Sequence, residues 1–325
     1  MQGANMSILS SADLKESLPN GQLITVEDLR ECLTFPSETI ETVYGPVEYA
    51  KRGEGPVVLT AHGGPGGYDQ ALVVGELFRK NGFQVVAPSR PGYLGTPLNI
   101  GKTAEEQGDF MAALLDALNI PKAVIVGISG GGPASYQMAQ RHPEKVRGLL
   151  VIDGISMNYT KVDDVSKTEE WMYLSKPGQW LTGFLFKHFP ASVVKSFLQT
   201  ESTLDKHDLG ERVKEIVGDD HKFAFVDAMF KTMSARFTER KVGADNDIAM
   251  GSAIDKLPLD KISCPTLIIH GDVDNDVPPR DAEYAHGAIA NSQLLWISKA
   301  SHIGFYTAGD AYAVQKYTLD WMKTL

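Results

Sequence analysis

One ten-residue stretch, from Ala123 to Gly132, restricts what this chain can fold into more than any other. Its first six residues, Ala123–Val124–Ile125–Val126–Gly127–Ile128, are mostly β-branched or small and predict a strand buried on both faces of a parallel sheet. They run straight into a G-x-S-x-G pattern centred on Ser129, and Pro133 to Ala139 then reads as a helix. A strand-to-helix turn this sharp needs small residues beside the serine, because bulkier ones would collide with the strand or the helix. Gly127 and Gly131 supply that space. Such a turn holds Ser129 above the carboxyl end of the strand, with the helix N-terminus beneath it. G-x-S-x-G alone is common by chance, and most serines are solvated bystanders. The strand before and the helix after are what nominate Ser129 as a nucleophile.

The same rhythm recurs along the chain. Strands are predicted at 40–43 and 47–50, as a hairpin, and at 56–61, 84–88, 146–152, 264–270 and 293–297. Helices are predicted at 70–81, at 103–118 (opened by a Thr103–Glu106 capping box), at 280–289 and at 310–325. This is an α/β pattern: a mostly parallel eight-stranded sheet with helices on both faces. From 155 to 255 apolar residues instead recur at helical spacing, among them Trp171, Met172, Leu174, Trp180, Phe184, Phe186, Phe189, Phe225 and Phe230. That segment is expected to be an inserted helical cap, with some aromatics lining an apolar pocket. The core then spans 38–154 and 256–325. Residues 1–37 read as an N-terminal extension, with a turn at Asn20–Gly21 and a short helix capped from Thr25.

Three loops at predicted strand ends carry chemical residues. His62–Gly63–Gly64–Pro65–Gly66–Gly67 follows the 56–61 strand, and a loop so poor in side chains lets backbone N–H groups approach a ligand. His62 is expected to brace this loop rather than act as a base. A second loop, 271–279, holds Asp272, Asp274 and Asp276, and Asp153 ends the 146–152 strand. The third, 299–305, holds His302, the one histidine in a loop after the last strand. His270 is expected to be a hydrogen-bonded core residue, and His142, His188, His207, His221 and His286 surface or cap residues. Gly101–Lys102–Thr103 lacks the first glycine of a phosphate loop, since Thr96 stands there.

Composition narrows the partners. Lys and Arg number 31 against 41 Asp and Glu, a net charge of −10, which argues against nucleic-acid or anionic-membrane partners. Cys32 and Cys264, the two cysteines, are expected to be reduced thiols. The N-terminus has neither a basic cluster nor an apolar run, and no stretch approaches the ~20 apolar residues that span a bilayer. A cytoplasmic protein is expected. No metal-ligand spacing and no cofactor motif is evident.

With these pieces in order, the chain resembles the α/β-hydrolase superfamily over roughly 38–325. The match rests on the H-G-G-P loop, the G-I-S-G-G turn, the G-D-V-D-N-D-V-P loop and the S-H-I-G-F loop. The resemblance implies a Ser-His-Asp triad of Ser129, His302 and Asp274, with Asp272, Asp276 and Asp153 as alternative acids. It also implies an oxyanion hole from the N–H groups of Gly64 and Gly130. The H-G-G-P-G-G loop is similar to that of proline iminopeptidases, but those carry tryptophan after the serine where this chain has Gly130. The resemblance therefore favours a serine hydrolase that cleaves small carboxylic esters bearing a hydrophobic group. The alternatives are an iminopeptidase-like peptidase, or a ligand receptor or lyase on the same fold.

Overall fold

The computed structural model describes residues 7–14, 23–160 and 176–325. Their backbone hydrogen bonds join nine strands into one sheet. In chain order these are β1 (Ser7–Ser10), β2 (Glu38–Thr42), β3 (Gly45–Arg52), β4 (Val57–Ala61), β5 (Gln84–Pro88), β6 (Ala123–Ile128), β7 (Val146–Ile152), β8 (Thr266–Gly271) and β9 (Ser292–Ile297). Eight of them are the strands expected from the sequence. The ninth, β1, comes from the N-terminal extension and pairs in parallel with β9 at the sheet edge.

Alternation along the strands shows why the sheet is covered on both faces. In β6, Val124 and Val126 enter one core while Ala123 and Ile125 enter the other. In β7, Leu150 and Ile152 oppose Leu149 and Val151 in the same way. Successive side chains point to opposite faces, so a strand apolar at every position must be sandwiched. One face is covered by α1 (Val26–Thr34) and α2 (Tyr68–Lys80), the other by α3 (Ala104–Ala117) and α4 (Gly132–Arg141). Capping boxes close the starts of α1, through Thr25 and Asp28, and of α3, through Thr103 and Glu106.

The strand order is β1-β9-β8-β7-β6-β4-β5-β3-β2, with β3 alone running against the rest and antiparallel to both its neighbours, β2 and β5. The chain passes from β4 to β5 on one side and then returns to place β6 on the other side of β4. The crevice at the carboxyl ends of β4 and β6 is therefore the topological switch point, where open α/β sheets hold their ligands.

Among the described residues, five helices lie between β7 and β8: α5 (Lys176–His188), α6 (Pro190–Glu201), α7 (Lys206–Gly218), α8 (Asp220–Ser234) and α9 (Phe237–Ala253). This insertion has its own apolar cluster around Phe186, Leu198 and Ile216, against which Ile303 packs. Phe225 instead joins the main core, its ring stacked 3.9 Å from that of Tyr306. Phe184 and Phe189 are exposed. Asn20, Gly21, Trp171, Met172 and Leu174 lie outside the described residues. The insertion is tied to the core by a buried pair: Arg240 of α9 donates to both carboxylate oxygens of Asp69 on α2, at 3.0 and 2.6 Å. After β8 the chain forms α10 (Arg280–Ala288), the short α11 (Gly304–Thr307) and α12 (Ala311–Met322). No helix among the described residues is long and apolar enough to cross a membrane.

Candidate active site

Ser129 stands where β6 gives way to α4, with a backbone φ of +53°. A non-glycine residue rarely occupies that left-handed region, and strain of this kind persists only where its surroundings enforce it. The neighbours enforce it by close approach. A methyl group built on Gly131 would stand 2.3 Å from the carbonyl oxygen of Ala61, and one on Gly127 would stand 2.5 Å from Ser135 Oγ. The turn therefore tolerates only glycine at these two places, as the sequence implied.

His302 follows β9, and the structure brings it onto Asp274, which follows β8. The His302 Nδ1–H donates to Asp274 Oδ2 at 2.8 Å. The other oxygen, Oδ1, accepts from the N–H groups of Asp276, at 2.9 Å, and Val277, at 3.0 Å. These bonds fix the carboxylate plane, and the carboxylate in turn fixes the tautomer of the ring. Burial works against a charged imidazole, but the charge and hydrogen bond of Asp274 outweigh it, helped by the charges of Asp276 and Asp153. Together they hold His302 well above its ordinary value. Among the described residues, Ser129 Oγ makes no hydrogen bond to His302. The Nε2 atom instead lies 3.5 Å from Asp276 Oδ2, and Tyr159 Oη–H donates to the other oxygen of Asp276 at 2.8 Å.

Asp153 and Asp272, also weighed from the sequence, bond to backbone N–H groups instead of to His302. Asp153 Oδ1 accepts from the Gly271 N–H at 2.9 Å, and Asp272 Oδ1 accepts from the Ala300 N–H at 3.3 Å. Burial, then the charge of Asp274, push Asp153 well above the usual carboxylate range. His270 is fully buried, and its Nε2–H donates to the Val277 carbonyl at 2.9 Å. His286, expected at the surface or in the cap, is buried and bonded to Ser292 Oγ at 2.9 Å. Ligand-type atoms of Asp153, His270 and Asp274 do cluster. Only Asp153 Oδ2 and His270 Nδ1 remain unpartnered there, too few for the four ligands of a closed metal site.

The glycine loop after β4 comes beside the serine. A methyl on Gly63 would stand 3.1 Å from Ser129 Cβ. His62 braces this loop as expected. Its Nε2 accepts from the Arg90 backbone N–H at 2.9 Å, which leaves Nδ1–H to donate to the Gly63 carbonyl at 2.6 Å. Burial, reinforced by the charge of Arg90, holds His62 well below its ordinary value, so it stays neutral. Gly64 and Gly130 share a neighbour that the sequence did not disclose. Methyl groups built on them would stand 3.2 and 3.1 Å from Asp247 Oδ2 of α9. Asp247 lies 157 positions from its main partner, Arg90, so no local pattern links them. The one available signal was Gly243 inside a helix, between Arg240 and Asp247 on the same face.

A family model described as the alpha/beta hydrolase fold matches residues 56–308. The chain belongs to that family. An alpha/beta hydrolase fold protein from Nakamurella multipartita is 34% identical, covers 88% of this hydrolase and 98% of itself, and superposes with a TM-score of 0.81. The uncharacterized hydrolase YcgS of Bacillus subtilis is 27% identical over 270 residues, 82% of this chain and 91% of the relative. A pimeloyl-[acyl-carrier protein] methyl ester esterase of Neisseria meningitidis is 28% identical over 229 residues, 70% of this chain and 80% of the relative.

Proposed function

We propose that this α/β-hydrolase is a carboxylesterase that works through an acyl-enzyme on Ser129, with His302 as base and Asp274 as its orienting acid. The observation that carries this reading is the 2.8 Å bond from His302 Nδ1–H to Asp274, beside a serine held at positive φ. With Nδ1 protonated, Nε2 keeps its lone pair and takes the Ser129 proton as Oγ attacks the ester carbonyl. The carbonyl electron pair moves onto oxygen, where the N–H groups of Gly64 and Gly130 receive it. Collapse expels the alcohol, which carries away the proton from Nε2. Water, deprotonated by the same nitrogen, then releases the acid and restores Ser129. Catalytic hydrogen bonds often tighten only with substrate in place. Here the imidazole turns from Asp276 towards Ser129 Oγ. Asp274 fits the acid role better than Asp153, because Asp274 accepts the His302 Nδ1–H at 2.8 Å whereas Asp153 Oδ1 accepts from the Gly271 N–H.

The substrate we assign is a small carboxylic ester with a hydrophobic acyl or alcohol group. The apolar insertion at 155–255, read as a cap, and the Neisseria esterase both support it. Two buried free thiols suit a reducing, cytoplasmic setting. The test is hydrolysis of p-nitrophenyl esters of increasing acyl length, beside proline p-nitroanilide, by the wild type and Ser129→Ala. Ester turnover that disappears in the variant supports the reading. Cleavage of the prolyl anilide alone overturns it in favour of a peptidase.

A further inference from the structure

We propose that Asp247, carried by the last helix of the insertion, is a positioning residue for oxyanion binding, acting through Arg90 on the loop that bears Gly64. This rests on the acyl-transfer reading above.

The geometry runs outward from one peptide plane. In a trans peptide the C=O and N–H point in opposite directions, so whatever holds the Gly63 carbonyl also aims the Gly64 N–H. Two donors hold that carbonyl: His62 Nδ1 at 2.6 Å and Arg90 Nη2 at 3.3 Å. Arg90 also donates from Nε to the His62 carbonyl at 2.8 Å, so the preceding peptide is held as well. The guanidinium is fully buried, and its Nη1 also donates to Gln107 Oε1 at 3.1 Å, so its neutral partners leave a buried charge to be balanced. Asp247 supplies the balancing charge and locks both ends of the fork. It takes Arg90 Nη1 at 2.8 Å and Nη2 at 2.5 Å, and it accepts from Tyr93 Oη at 2.6 Å. Tyr93 lies edge-on to the His62 ring, with centroids 4.7 Å apart.

The same carboxylate stands beside the glycine that carries the second donor. Its Oδ2 fills the space beside Gly130 where a side chain would project, at 3.1 Å from a built methyl. A side chain at 130 would press on this carboxylate. One group on the insertion thus stands beside both glycines whose amides are assigned to the oxyanion, one on each side of the switch point. Donors aimed in advance at the developing charge are the largest single term in acyl transfer.

The test compares wild type with Asp247→Asn and Tyr93→Phe, with Ser129→Ala as control. Readouts are kcat and KM on a p-nitrophenyl ester, melting temperature, and inhibition by 1,1,1-trifluoro-2-octanone against 2-octanone. In the fluorinated ketone Ser129 Oγ adds to the carbonyl carbon, its proton goes to His302, and the carbonyl oxygen becomes an oxyanion. The plain ketone binds without adding. Asp247→Asn should lower kcat roughly 10- to 100-fold with KM nearly unchanged, as expected for misaimed catalytic groups. The preference for the fluorinated ketone should shrink in parallel. Tyr93→Phe keeps the ion pair and should show a smaller loss in the same two quantities, and it alone decides if Asp247→Asn does not fold. A lowered melting temperature with kcat and the inhibitor preference within twofold of wild type overturns the proposal. Unimpaired ester turnover by Ser129→Ala overturns the acyl-enzyme reading beneath it.

Discussion

His302 stands between two carboxylates, and its behaviour with pH follows from both. Asp274 holds Nδ1, and Asp276 lies 3.5 Å from Nε2. Both favour the protonated ring, and a protonated ring cannot accept the serine proton. The active fraction therefore grows only as pH rises past a value well above that of an ordinary histidine. The expected kcat/KM profile climbs from neutral into alkaline pH. Asp276→Asn removes one favouring charge, so its acid limb should move to lower pH, read from the same profile on the same ester. An unmoved limb would contradict the placement of Asp276 at the base. What the sequence offered at this scale was a set of nominations. Ser129 was nominated by its strand-to-helix turn, and His302 and Asp274 by loop position together with the family resemblance; the structure brings the histidine and that aspartate together. The placement of Asp276, two positions from Asp274, was not legible, because a loop's sequence does not say which way consecutive side chains turn.

The site depends on elements meeting at close quarters. β6 and α4 meet β4 at Gly131, where an added methyl would lie 2.3 Å from the Ala61 carbonyl. Backbone cannot yield as a side-chain tip can, so Gly131→Ala should displace Ser129. We expect at least a 100-fold loss of kcat, the order that misplacing a reacting group by about 1 Å costs, measured on a p-nitrophenyl ester. At α1 the consequence is stability alone. Thr25 accepts from the Asp28 N–H at 3.2 Å, and Asp28 accepts from the Thr25 N–H at 2.7 Å. Thr25→Ala should cost about 1 kcal/mol in urea unfolding, as capping losses do, and leave kcat unchanged. Both the cap and the glycine were readable, since each is a short-range steric or hydrogen-bonding rule. The edge strand β1 was not. Four residues carry little periodicity, and its partner β9 lies almost the whole chain away.

At the scale of the whole molecule, the insertion is fastened to the core through α9. Arg240 and Asp247 lie on one face of that helix and reach Asp69 and Arg90, while Gly243 lets the Tyr93 ring come within 2.3 Å of where a methyl would stand. Breaking a buried ion pair leaves an uncompensated charge, so Arg240→Ala should destabilise the fold by about 3–5 kcal/mol, seen as a lower denaturation midpoint. Such contacts join residues more than 150 positions apart, and no sequence window contains both partners. The fold was legible because its sheet is written in local periodicity. The coupling of insertion to site was not, because it is written in distance. The central claim is that Ser129 becomes covalently acylated with His302 as its base. The most direct measurement is labelling with an alkyl fluorophosphonate, mapped by peptide mass spectrometry in wild type, Ser129→Ala and His302→Ala. The account predicts one adduct per chain on the Ser129 peptide, absent from Ser129→Ala and strongly slowed in His302→Ala. An adduct elsewhere, or an unlabelled enzyme that still hydrolyses esters, would contradict it.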